Sequence, residues 1–341
     1  MTLRRRRLLG LGAAAALTGA AGVVAGKLVA DQSRQPATSS AFGQPFRLAG
    51  VGEPVARFGM LGGPLAWDPT GRQLAVEQFS KDNTRTVSLY EVGSWSKHLE
   101  IPGSRPSWST DATHLALVRP FPATTPPTSD TVVVLIDPAS GAVVETIAAR
   151  TSGVGWSGDQ PYGVVEGRVV PLRAQTNSVV TCADGCDLAE WAPVGDYLAV
   201  GNAAIPSEYV IASVRDPALR KPLGAAGGLV WAARAPVLAW QRSDATFAWT
   251  MTEGERQVPL AGGLRPAAWS PDGTMLLCSS LKTSWVQWSR LDNQITALAL
   301  PAAFGAAVHT WWSSDGRFIA TVPQSFGPAE AVVYATVITP S

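Results

Sequence analysis

Residues Leu264–Ser280 read LRPAAWSPDGTMLLCSS. A short strand ends on Trp269. The next four residues, Ser270-Pro271-Asp272-Gly273, have the chemistry of a turn: proline presets φ, aspartate can bond the backbone ahead, and glycine accepts positive φ. A largely apolar strand follows from Met275 to Ser280. Residues 285–291 then alternate, with Trp285, Gln287 and Ser289 on one side and Val286, Trp288 and Arg290 on the other. Residues 295–300 supply a fourth strand. Four short antiparallel strands joined by tight turns make one blade of a β-propeller.

The same phrase recurs as LAWDPTGRQLAV, PSWSTDATHLALV, AEWAPVGDYLAV and TWWSSDGRFIATV. The marker tryptophans are Trp67, Trp108, Trp156, Trp191, Trp231, Trp269 and Trp312, at intervals of 41, 48, 35, 40, 38 and 43 residues. A period near 40 with strands inside each unit predicts an all-β, seven-bladed propeller of four-stranded antiparallel blades. The third unit is the shortest, turning at Glu166-Gly167. The fourth has a short outer strand near Lys221–Leu223. The fifth has lost the turn motif, since AARAP follows Trp231. Each marker tryptophan is expected to pack between neighbouring blades. The last unit lacks an outer strand after 332–338. Pro54–Phe58, left over ahead of the first marker, is expected to pair there and close the ring.

The first 26 residues are a separate object. Arg4 to Arg7 form a basic run, and Leu8 to Gly26 carry no charge and are rich in alanine and glycine. This is the pattern of an export signal, more of the twin-arginine than the Sec kind. The alternative is an uncleaved anchor, because the apolar run is just long enough to span a bilayer. Residues 27–45 read as a flexible polar linker, and 46–341 as the propeller. The formal net charge is +1; four positive charges lie in residues 1–25, so the remainder carries −3. A body of that charge has no general electrostatic reason to bind nucleic acid or anionic lipid. Membrane contact is expected only through the N-terminal segment if it is retained.

The turns of the WSPDG type, at Trp269–Gly273 and as WSSDG at Trp312–Gly316, resemble TolB-like and WD-repeat-like propellers. The resemblance runs from about Phe46 to the C-terminus and implies an exported bacterial propeller. It departs from standard WD repeats, because no Trp-Asp closes the third strand and no Gly-His pair opens the blades. It departs from TolB in having a short linker where an α/β domain would stand, so TolB's usual partner is not implied.

Candidate chemistry is sparse. His98, His114 and His309 fall in different units, and no nucleophile elbow or P-loop is present. His114, at the start of an apolar strand, reads as structural. His309 should line the central channel, and Glu190 stands on another inner strand; they are a possible channel site. The recurring aspartates Asp68, Asp111, Asp159, Asp272 and Asp315 are what the turns need. Cys182 and Cys186, in TCADGCD, could form a small disulfide loop or remain two free thiols. Cys278 reads as a buried small side chain. No catalytic group, metal or cofactor is expected.

Links between second and third strands gather on one face of a propeller, opposite the tight turns. Binding residues concentrate in such loops on a rigid scaffold. Arg105, Arg119, Phe121, Arg242, Lys282 and Phe326 lie on or near that face, and arginines mixed with aromatics suit a protein or glycan partner. The expectation is a monomeric, exported, non-catalytic binding module of the cell envelope, periplasmic or extracellular. Two rivals are a lactonase-like hydrolase with its site at the channel, and a membrane-anchored sensor domain.

Overall fold

The computed structural model describes residues 46–340 except 81, 83, 121–130, 152, 175–179, 182–184, 187, 195, 203–207, 244, 261–263, 281–284, 302–303, 305–306 and 324–328. The chain opens with β1 (Phe46–Phe58). Blade 1 is β2 (Leu61–Trp67), β3 (Gln73–Phe79), β4 (Arg85–Glu91) and β5 (Lys97–Pro102). Blade 2 is β6 (Ser104–Trp108), β7 (Leu115–Pro120), β8 (Thr131–Ile136) and β9 (Val143–Ala148). Blade 3 is β10 (Val154–Ser157), β11 (Gln160–Val165), β12 (Arg168–Pro171) and β13 (Val180–Thr181). Blade 4 is β14 (Leu188–Trp191), β15 (Tyr197–Gly201), β16 (Glu208–Ser213) and β17 (Arg220–Ala225). Blade 5 is β18 (Gly227–Trp231), β19 (Val237–Arg242), β20 (Ala245–Thr250) and β21 (Gly254–Gln257). Blade 6 is β22 (Leu264–Trp269), β23 (Met275–Ser280), β24 (Trp285–Ser289) and β25 (Ile295–Leu298). Blade 7 is β26 (Ala307–Trp312), β27 (Phe318–Pro323) and β28 (Ala331–Pro340), completed by β1.

All seven sheets are four-stranded, and every pairing is antiparallel. The closure is the one the missing last strand implies, and it reaches further. Phe58 faces Ala331, and the ladder runs on to Phe46 opposite Pro340. Beyond the part legible in sequence, β1 is latched to blade 6. The Gln287 side-chain amide donates to the Leu48 carbonyl at 2.9 Å, and its oxygen accepts the Leu48 N–H at 3.1 Å. Arg47 pairs with Asp292 at 2.7 Å.

The core is not one mass. It divides into seven apolar layers, each between adjacent blades. Inner and middle strands are therefore covered on both faces, which explains near-continuous apolar runs such as LALV in β7 and VVVLI in β8. The alternation read in β24 holds with both faces covered: Trp285 lies in the layer shared with blade 7, and Val286 and Trp288 face the layer shared with blade 5.

Each marker tryptophan lies in the layer shared with the preceding blade. Trp108 Nε1 donates to Ala66 O at 3.0 Å, Trp156 Nε1 to Ser107 O at 3.2 Å, and Trp231 Nε1 to Glu190 O at 2.9 Å. In each case the acceptor is the residue before an earlier marker, so one side chain both fills the layer and staples two inner strands. A Cβ on Gly155 would overlap the Trp191 ring, so glycine is what lets that pair of blades approach.

Two local expectations are corrected. The outer strand of blade 4 is six residues long, and the short one belongs to blade 3, where β13 has two. Asp159 does not hold its turn as the other aspartates do. Its backbone carbonyl accepts from Arg173 at 2.8 Å, and the neighbouring Ser157 hydroxyl bonds Asp196 of blade 4.

Candidate binding site

The turn-bearing face is built from closed networks. In blade 6, Ser270 Oγ donates to Asp272 at 2.6 Å and accepts the Met275 N–H at 2.9 Å, while Asp272 accepts the Thr274 N–H at 3.1 Å. Blades 2 and 7 repeat this with Ser109, Asp111 and His114, and with Ser313, Asp315 and Phe318. In blade 1 Asp68 stands where the serine would be and accepts from Arg72 N at 2.7 Å. These carboxylates are occupied by the fold, as the repeat implies. His114 bonds Thr113 at 2.8 Å and stacks near Trp156, a structural role.

The inner strands enclose a central channel of about 1300 Å³, lined by residues from all seven blades. All seven marker tryptophans reach it. Its charged described lining is Arg105, Arg265 and Glu190, with His309 beside Trp311. Prolines 64, 106 and 266, Val154 and Leu229 make much of the remaining wall apolar.

Glu190 and His309 are both exposed to the open space of the channel. Protein nevertheless surrounds them, and this enclosure sets their titration. It raises the Glu190 carboxyl above its ordinary value, with the positive charge of Arg105 pulling the other way. The same enclosure lowers the His309 imidazole, which favours its neutral form. The Tyr209 hydroxyl is pushed up by burial and by the Glu190 charge.

Arg105, near the start of β6, lines the channel, and its charge acts on Glu190. Its backbone is held by Glu77, whose side chain is 0% exposed. Glu77 accepts from Arg85 at 2.7 Å and from the Arg105 N–H at 2.7 Å. Glycine at 63 leaves the room this carboxylate occupies. Sequence reasoning missed Glu77; the signal was a charged residue inside the buried run LAVEQF.

The other rim residues are scattered, and those described are partly built into the scaffold. Arg119 Nε donates to Pro102 O at 2.6 Å, and burial lowers its guanidinium pKa. Arg242 pairs with Glu255 at 3.4 Å and lies 4.1 Å over the Phe247 ring. Phe121, Lys282, Phe326 and Cys182 lie outside the described residues. Cys186 is buried and disulfide-bonded, and Cys278 is a buried free thiol whose pKa burial drives far up. Among the described residues no group of three His, Cys, Asp or Glu side chains is arranged to hold a metal.

Neither protein-family models nor curated proteins give a match to the chain. Solved structures do. A chain of the mitotic checkpoint complex superposes with a TM-score of 0.58 at 15% identity, covering 97% of this chain and 98% of its own. The WD40 repeats of RRP9 give 0.57 at 11% identity, over 86% of this chain and 100% of theirs. U3-55K gives 0.57 at 11%, over 83% and 100%. These likenesses establish a WD40-type propeller fold. At such identities they carry no substrate or partner, since one propeller scaffold hosts many activities.

Proposed function

We propose that this chain is an exported, non-catalytic binding module of the cell envelope, holding a protein partner on its loop-bearing face. The observation that carries the reading is the arrangement of arginines at that face. Arg119 is anchored on the Pro102 carbonyl and Arg242 on Glu255 and the Phe247 ring, and both stay partly accessible. Side chains fixed before binding lose less freedom on binding. One similar structure is part of a named checkpoint complex, and two others are WD40 repeats or a similar chain; this is compatible with a partner-holding role.

Export rests on Arg4 to Arg7 and the apolar segment behind them. A twin-arginine route predicts that changing all four to lysine leaves the protein in the cytoplasm, whereas unimpaired export would exclude that route. For binding, alanine at Phe121 and Lys282 should weaken retention of the partner recovered from the envelope without lowering the melting temperature. Unchanged retention would remove the loop-bearing face from the account. A glycan partner would show instead as retention by glycan and loss on glycosidase treatment.

The rival hydrolase reading has one supporting observation, the raised Glu190 carboxyl, since an enclosed acid of that kind suits general acid catalysis. Turnover of lactones or esters by purified protein, abolished by Glu190→Gln, would replace the binding reading.

A further inference from the structure

In two blades the inner strand carries the same bulge at the same place. In blade 2 it falls between Ser104 and Ser107, and in blade 5 between Gly227 and Val230. The registers align Trp108 with Trp231, and so Arg105 with Gly228. Both sit in the left-handed region, Gly228 at φ 58° and Arg105 at φ 53°. Glycine adopts that backbone freely; an arginine is strained there. Among the described residues Arg105 is the one non-glycine with positive φ inside a strand, the others lying in turns or at strand junctions.

The fold does not require this strain, since blade 5 solves the same bulge with glycine. The strain at Arg105 is held in place by the fully buried Glu77 carboxylate, which accepts its N–H. A strained, over-determined residue in a cavity is a sign of placement for use. Arg105 lines the channel together with Arg265 and Glu190. Among the described lining residues, two arginines and one carboxylate leave one net positive charge while His309 is neutral. A monoanion balances that charge, and a phosphate dianion exceeds it and faces Glu190. The walls of Pro64, Pro106, Pro266, Leu229 and Trp311 suit an apolar or aromatic body.

We propose that the channel mouth binds a monocarboxylate carried on an apolar or aromatic body, with the Arg105 guanidinium as the carboxylate's principal partner and Arg265 contributing from blade 6. Planar guanidinium and carboxylate match in a paired geometry that an ammonium group does not reproduce. The proposal deepens the binding reading above and rests on its placing a ligand at this end of the ring. The carboxylate could belong to a free organic acid or to the end of a peptide chain.

The test is titration calorimetry on the purified full chain, with no macromolecular partner present, so that loss of a partner and loss of this ligand are read separately. The probes are benzoate, the isosteric benzamide, inorganic phosphate and the peptide acetyl-Ala-Phe. Benzoate or the peptide should bind at least tenfold more tightly than benzamide and phosphate, and whichever of the two is tighter identifies the source. R105G keeps the backbone its position prefers, so its melting temperature should be unchanged or higher while carboxylate affinity falls at least tenfold. If R105G does not fold, R265A should show a smaller loss in the same titration. Equal binding of benzoate and benzamide, tighter binding of phosphate, binding of no probe, or wild-type carboxylate affinity in the folded variant would each overturn the proposal.

Discussion

On the turn-bearing face, Ser270, Asp272 and Thr274 bond one another and the backbone, and blades 2 and 7 repeat the serine–aspartate pair, with Thr113 and Arg317 in the place of Thr274. At the channel mouth nothing repeats. Arg105, Glu190, Arg265 and His309 come from four different blades, and each stands where the other blades carry something else. Periodic polar groups serve the ring, because every blade has the same turn to close. Aperiodic polar groups in the channel serve no need shared by the blades. The difference separates architecture from candidate function without any knowledge of the ligand.

The largest expected effect erases the comparison altogether. Deleting residues 46–58 removes Leu48 from the layer between blades 6 and 7 and Phe58 from the layer between blades 7 and 1. It also bares the edge of β28. The folded monomer should be lost, seen as aggregation in size-exclusion chromatography and a vanished near-ultraviolet circular dichroism signal. A monomer with a native melt would mean the ring closes without β1.

Next in size is Glu77→Ala, which acts at the channel end. It strips Arg85 and the Arg105 N–H of their shared acceptor. With Arg85 half-exposed, the cost should be about 2 kcal/mol in chemical denaturation, below the usual loss for breaking a fully buried pair and within that for leaving a buried N–H unsatisfied. Asp272→Ala acts at the opposite face and should cost about 1 kcal/mol, the usual loss for a side chain that caps backbone N–H groups. It should leave carboxylate binding unchanged. A binding loss equal to that of R105G would blur the distinction between the faces.

Two smaller effects sharpen it. Ala112 has φ 61° where the equivalent turns have Gly71, Gly273 and Gly316. Ala112→Gly should therefore stabilise by about 0.5 kcal/mol, the relieved strain being offset by added freedom in the unfolded chain. Glu190→Gln should also stabilise, in a pH-dependent way. The folded-state pKa of Glu190 lies above its unfolded value, so the native state holds the proton more tightly. The wild type then gains stability as pH falls through the raised value and is penalised above it. The variant escapes that penalty, so its excess in melting temperature should be greatest at neutral pH and disappear once both states of Glu190 are protonated. An excess that grows on acidification would contradict the assignment.

The ring was largely legible because its signals are local and repeated. Trp67 to Trp312 give the period, the Ser-x-Asp-Gly turns give the strand ends, and the missing strand after 332–338 gives the closure. The latch of Leu48 on Gln287 was not legible, because those residues are 239 positions apart and neither carries a local cue. The site was legible only in pieces. Glu190 and His309 could be placed in the channel from the strand order. Arg105 could not, because its direction is set by a bulge and by Glu77, a contact across 28 residues of sequence. Blade 5 shows the converse: without the side-chain network its turn keeps the Ala232 N–H to Val237 O bond at 2.9 Å and leans on Pro271 of blade 6, which no local pattern announces.

The central claim is that one face of the ring receives the partner and the other does not. The most direct measurement places a photo-crosslinking amino acid at Ser243, exposed between β19 and β20 on the loop-bearing face, or at Leu291, which is 56% exposed beyond β24 on the turn-bearing face. Irradiation of intact cells producing each variant should give discrete adducts from position 243 and none from 291. Adducts confined to 291, or the same adducts from both positions, would contradict the account.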